Sequence, residues 1–201
     1  MPTVTRDGYT RAYYDGSNDT GNSTITNALI AGAAGFGLGL LAAAGRKAAV
    51  QAITYSAGDW FDGLKAEHKM AIGIFDALQK TTTEDTKKRA ALLFSLQHAL
   101  GKHAVQEEDI VYCAVREHGA NAEADDLNHD HGYVKQYLYD LEMMDKASPL
   151  WIAKLREFRA LIETHVRKEE DDIYPRLRSQ LSAEQNKALT NRMNREGFKV
   201  A

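Results

Sequence analysis

Apolar residues recur every three or four positions along four long segments, about 58–80, 84–118, 121–145 and 149–179. That period is helical, so each segment is predicted to be an amphipathic helix with one face turned towards a core. Thr82 or Thr83 and Ser148 offer side-chain oxygens that open helices, and Pro149 follows Ser148 at a first helical position. Gly119 is expected to stop the second segment, and Pro175 to bend or shorten the fourth. A fifth helix opens at "SAEQ", where Ser182 and Gln185 have capping-box spacing. Short connections between long helices make neighbours antiparallel. The expected fold is therefore all-α: an up-down-up-down antiparallel four-helix bundle over 56–181, followed by a short C-terminal helix and tail over 182–201.

The apolar faces carry polar residues at matching places. The first seam reads Trp60, Leu64, His68, Ala71 or Ile72, Phe75 and Leu78. The second reads Leu92, Leu96, Ala99 or Leu100, His103, Glu107, Ile110 or Val111 and Ala114. The third reads Leu127, His131, Val134, Leu138 and Leu141, and the fourth Leu155, Phe158, Ile162, His165, Glu169 and Ile173. Each seam holds one histidine, and two add a glutamate one turn later. His68 and His131 sit early in their helices, His103 and His165 late, so antiparallel packing brings all four to one level. His98 lies about 140° off the second seam and His129 about 200° from His131. With His118, at a helix end, they are read as solvated or capping groups.

A lone His-x-x-x-Glu on a helix is usually a surface pair worth a few tenths of a kcal/mol. Here four imidazoles and two carboxylates share one level of an apolar bundle, and an unpaired buried carboxylate costs several kcal/mol. A cation resolves the conflict by converging all six groups, so His68, His103, Glu107, His131, His165 and Glu169 are the candidate metal ligands. Glu108, Asp109, Glu170, Asp171 and Asp172 fall off the seam and are read mainly as a solvated acidic face. Tyr112 and Tyr174 are read as packing residues rather than hydrogen-bond donors to the site.

Composition changes the picture in three places. Residues 1–24 are polar and rich in Gly, Asn, Asp and Thr, so they are expected to form a flexible arm. Residues 25–45 carry no charge, and Ala31, Gly35, Gly39 and Ala43 line one helix face. This N-terminal Gly/Ala-rich helix, taken as 25–55, reads first as a packed helix in a soluble fold or homo-oligomer and second as a membrane-associated segment. The formal net charge of −3 offers no basic stripe for nucleic acid. Cys113 is the only cysteine, which rules out an internal disulfide and fits a reducing cytoplasm.

Four nitrogens and two carboxylates exceed what one tetrahedral zinc uses, and calcium and magnesium prefer oxygen shells. Imidazole with carboxylate suits iron or manganese. Two octahedral ions offer about twelve positions. The six side chains and a solvent-derived oxo or hydroxo bridge leave about two of these open. An open redox site points to dioxygen, peroxide or nitric oxide.

These residues resemble the hemerythrin-like family, the HHE cation-binding domain. The match rests on His68, His103-x-x-x-Glu107, His131 and His165-x-x-x-Glu169, with flanks "LKAEH", "HGYVK" and "HVRKEEDDIYP". The resemblance implies a non-haem di-iron centre in a four-helix bundle. It implies dioxygen binding, redox sensing, iron handling, or peroxide and nitric oxide chemistry. The family's dioxygen carriers place a second histidine one turn from the third-helix histidine, where this chain has Leu127 and Lys135. They also carry an aspartate five residues after the last-helix histidine, where this chain has Glu170. One fewer imidazole leaves an extra labile position, which turns the expectation from reversible carriage towards peroxide or nitric oxide reactivity, or sensing. Tyr133 or another tyrosine could fill the gap. The alternative expectation is an interaction or iron-handling protein, in which metal staples the bundle and residues 25–50 drive assembly or membrane contact.

Overall fold

The structure, a computed structural model, describes residues 54–201. The expectations for the arm 1–24 and for the Gly/Ala-rich run 25–45 fall outside them. The described chain forms α1 (Trp60–Gln79), α2 (Thr86–Gln106), α3 (Tyr112–Glu117), α4 (Asn121–Met143), α5 (Trp151–Lys168), α6 (Tyr174–Gln180) and α7 (Ala183–Val200). Two single π-helical turns, Glu107–Val111 and Glu169–Ile173, join α2 to α3 and α5 to α6 without a break in the rod.

Contacts along the rods show alternating direction. Glu67 meets Lys102 at 2.6 Å while Thr81, just past α1, meets Arg89 at 2.9 Å, so α1 and α2 run oppositely. Asp76 pairs with Arg159 and Asp62 with Arg178, which sets α1 against α5–α6. Lys168 pairs with Asp130, while Tyr137 stacks on Phe158 at 5.3 Å, which opposes α4 and α5. Glu108 with Lys135 and Arg116 with Asp125 do the same for α2–α3 and α4. The result is the expected up-down-up-down bundle.

The ends follow local chemistry. Asp59 caps α1 by accepting from Phe61 N and Asp62 N. Gly119 takes φ 88° and ends α3, and Ser182 with Gln185 forms the full capping box. α2 and α5 begin later than the sequence suggested. Asp85 accepts from the Thr82 amide and hydroxyl, and Ser148 accepts from the Leu150 amide, so these residues shape turns before each helix. Pro175 does not end the fourth rod, since it sits in the first turn of α6 where a missing N–H is tolerated. The matching π turn at Glu107–Val111 forms without a proline.

The C-terminal helix is not short. It has 18 residues and contributes Leu189 and Met193 to the core. Trp60 fastens it, donating from Nε1 to Asn186 Oδ1 at 2.8 Å and from its amide to Thr190 Oγ1 at 3.0 Å.

The core has two parts. One gathers Trp60, Leu64, Val111, Tyr112, Leu127, Tyr174 and Met193. The other gathers Ala71, Phe75, Leu93, Leu96, Val134, Leu155, Phe158 and Ile162. In the second seam Leu93, not Leu92, is fully buried, and both Ile110 and Val111 are inside. Each of the four seam histidines lies between a residue of one cluster and a residue of the other, so a polar layer divides the apolar interior.

Candidate metal centre

α1, α2, α4 and α5 each point one imidazole into this layer, and His68, His103, His131 and His165 are all buried. They meet in pairs. His68 Nε2 lies 2.9 Å from His103 Nε2, and His131 Nε2 lies 3.2 Å from His165 Nε2. Glu107 and Glu169 are fully buried and span the pairs. Glu107 Oε2 is 3.1 Å from His103 Nε2 and 3.3 Å from His131 Nε2. Glu169 Oε2 is 3.3 Å from His68 Nε2, and its Oε1 is 3.2 Å from His165 Nε2. Each carboxylate thus touches one histidine of each pair.

The other face of every ring is held by a carboxylate. His68 Nδ1 meets Glu170 at 2.8 Å, His103 Nδ1 meets Glu67 at 3.2 Å, His131 Nδ1 meets Glu108 at 2.9 Å, and His165 Nδ1 meets Asp130 at 3.2 Å. Such partners place the proton on Nδ1 and turn the Nε2 lone pair inward. Glu108 and Glu170 are therefore not a solvated face; only Asp109, Asp171 and Asp172 are exposed as expected. A sequence signal for this ring did exist. Each carboxylate is the chain neighbour of a candidate ligand, as Glu67–His68, Glu107–Glu108, Asp130–His131 and Glu169–Glu170.

The tyrosines also differ from expectation. Tyr112 donates to Glu169 Oε1 at 2.7 Å, and Tyr174 donates to Glu107 Oε1 at 2.6 Å. The π turns carry them inward: the amides of Tyr112 and Tyr174 bond Glu107 O and Glu169 O, five residues back. Burial, Glu107 and Glu169 raise both phenols well above their usual range, so they stay protonated donors. Tyr133 is 45% exposed and meets His129 edge-on, away from the site. His98 and His118 bond the carbonyls of Phe94 and Ala114.

The layer is short of positive charge. Burial disfavours a charged imidazole, yet Glu169, Asp130 and Glu107 outweigh it and carry His165 up to about 10. His103 is likewise raised well above its usual range, against burial, by Glu107 and Glu67. Glu169 Oε2 has no hydrogen-bond donor. Protons on His103 and His165 answer the carboxylate charge in the metal-free layer, and cations that displace them would meet four imidazole nitrogens and four carboxylate oxygens. His68, His103, Glu107 and Glu169 bring one ligand atom each within 4.8 Å of one another, as do Glu107, His131 and His165. The donor set fits an imidazole- and carboxylate-binding metal.

The sequence matches the family model for the hemerythrin HHE cation binding domain over residues 61–177. The chain belongs to the hemerythrin HHE cation binding domain family. A hemerythrin HHE cation binding domain-containing protein from Mycobacterium kansasii has the same fold, with a TM-score of 0.63 at 20% identity. The match covers 71% of this chain and 86% of that one. A DNA nickase from Nostoc sp. is 24% identical over 124 residues, 62% of this chain. The match spans only 35% of the nickase. In this hemerythrin-like chain, Leu127 is fully buried in the core and the Lys135 side chain is 64% exposed, so neither supplies the carriers' extra imidazole.

The outer ring sets an acid limit. Against burial, the contacts to His103 and Lys102 lower Glu67 from 4.5 to about 2. The bond from His165 lowers Asp130 from 3.8 to about 2. Depressed carboxylates give stability that is complete above their unfolded values and lost as pH falls towards the folded ones. Circular dichroism of the metal-free protein should therefore show stability falling from pH 4.5 towards pH 2, with a smaller fall in Glu67→Gln. An identical acid profile in that variant would contradict the assignment.

Proposed function

We propose that this domain holds two iron ions, one on His68 and His103 and one on His131 and His165, spanned by Glu107 and Glu169. It binds or consumes a small oxygen species (dioxygen, hydrogen peroxide or nitric oxide) in cytoplasmic redox sensing or detoxification. The observation that carries this reading is the crossed geometry, in which each glutamate reaches one histidine of each pair. Among the described residues no helix is long and apolar enough to cross a membrane.

Bound iron would supply one-electron chemistry towards such molecules. The chain supplies access and protons. A cavity of about 60 Å³ borders all four histidines and is walled by Ala71, Leu100, Val134 and Ile162. That is room for on the order of four waters, which suits a ligand of two to four atoms. The Tyr112 hydroxyl lies 3.1 Å from His131 Nε2 and 3.4 Å from His165 Nε2. It stands at the half of the site where carriers have an extra imidazole, as a proton donor or an oxygen ligand. Filling that place with a phenol favours turnover over reversible carriage. DNA nicking is named for a protein of which this chain spans about a third, and it is not part of this reading.

The test is metal analysis followed by stopped-flow mixing of the reduced protein with dioxygen, peroxide and nitric oxide. Iron is expected to co-purify, with fast spectral change on peroxide or nitric oxide and no reversible dioxygen adduct. Fewer than about one iron per chain from iron-replete cells, or inertness to all three, would sink the reading.

A further inference from the structure

The inner site is nearly two-fold symmetric, but its outer ring is not. On the His165 side, Asp130 is held by Lys168 at 2.8 Å, and on the His131 side Glu108 is held by Lys135 at 3.0 Å. Both lysines reach in from the surface, with side chains 36% and 64% exposed. On the His103 side everything is inside. Lys102 donates to Glu67 Oε1 at 2.6 Å and to Thr54 Oγ1 at 3.1 Å, and the Thr54 hydroxyl donates to the same Glu67 oxygen. Thr54, Glu67 and Lys102 are 1%, 3% and 4% exposed. Thr54 is seated tightly: a Cβ on Gly63 would come within 2.9 Å of its Cγ2.

Surface ion pairs are screened by salt and flex with their side chains, whereas a buried pair is shielded and fixed. Glu67 is thus held by a buried lysine, whereas Asp130 is held by a partly exposed one. We infer that Thr54 and Lys102 are positioning residues that make the two halves of the centre unequal, so that the ion on His68 and His103 is retained while the ion on His131 and His165 exchanges first. This rests on the two-ion reading above. It adds that the halves differ, and that the difference originates at the chain segment entering α1.

Iron-loaded full-length protein is reduced and mixed with a ferrous chelator, and release is followed by absorbance at low and high salt. Wild type should release iron in two phases, only the faster of which responds to salt. Thr54→Val should hasten the slow phase by up to about 10-fold, the low end of the 10–100-fold usual for losing a group bonded directly to a ligand histidine, because Thr54 acts one step further out through Glu67. Lys102→Met should do the same, and if it unfolds by circular dichroism the milder Thr54→Val decides. Thr54→Ser, which keeps the hydroxyl, should restore wild-type release, which a purely packing role would not. Lys168→Met should alter only the fast phase. If a single ion loads, its release should follow Thr54→Val and not Lys168→Met. Two ions leaving in one phase, salt acting on both, or a slow phase indifferent to Thr54→Val overturns the inference alone. Protein that takes up no iron overturns the two-ion reading with it.

Discussion

His103→Ala will strip metal from the domain, while His98→Ala, on the same helix, will leave metal content unchanged. His103 Nε2 is 2.9 Å from His68 Nε2 and 3.1 Å from Glu107 Oε2, so its loss removes half of one histidine pair and a neighbour of a spanning carboxylate. It also leaves Glu67 facing the site with no imidazole to orient. The loss should exceed the roughly 10–100-fold typical of removing an outer-shell partner alone. His98 bonds only the Phe94 carbonyl and packs on that ring at the exposed surface. Elemental analysis after dialysis against chelator separates the two variants. Full retention of metal by His103→Ala would remove that histidine from the centre.

Trp60→Ala is expected to give a large loss of stability, about 3–5 kcal/mol by the usual range for a buried aromatic cut to alanine. The side chain is completely buried, lies 5.4 Å edge-on to Tyr174 and holds α7 through Asn186. Its removal opens a void beside the ring that donates to Glu107 and frees the helix that closes that end of the core. Urea unfolding should show the destabilisation, and hydrogen exchange should show protection lost first along Ala183–Val200. A change below about 1 kcal/mol would mean that α7 holds itself on the bundle by other contacts.

The helices, their directions and the level of the four histidines were legible because a regular period of 3.6 residues governs them. The same rule misplaced whatever lies beyond the π turns. Tyr112 is five residues past Glu107, about 140° away on a straight α-helix. The wider turn puts it over the same carboxylate cluster. Glu108 and Glu170 lie off the seam by helical angle, yet each carboxylate reaches across to a histidine on another helix. Glu67 and Lys102 were harder still. Nothing in either seam marks a buried ion pair, which becomes visible only when α1 and α2 are packed together. The long C-terminal helix was underestimated because its apolar side shows in few residues, Leu189 and Met193 among them.

The two π turns have a consequence for how this chain can vary. They act as phase shifters: upstream of each, the rod faces the cavity side of the metal layer, and downstream it faces Trp60 and α7. If either turn kept its length but wound as plain α-helix, everything after it would rotate by about 100°. Val111, Tyr112 and Val115, or Ile173, Tyr174 and Leu177, would swing away from the core. The exposed aspartates there, Asp109, Asp171 and Asp172, look expendable, and in kind they are. Removing one of them would restore plain α winding and set Tyr112 or Tyr174 four residues, about 40°, past its glutamate, so the faces beyond keep their phase.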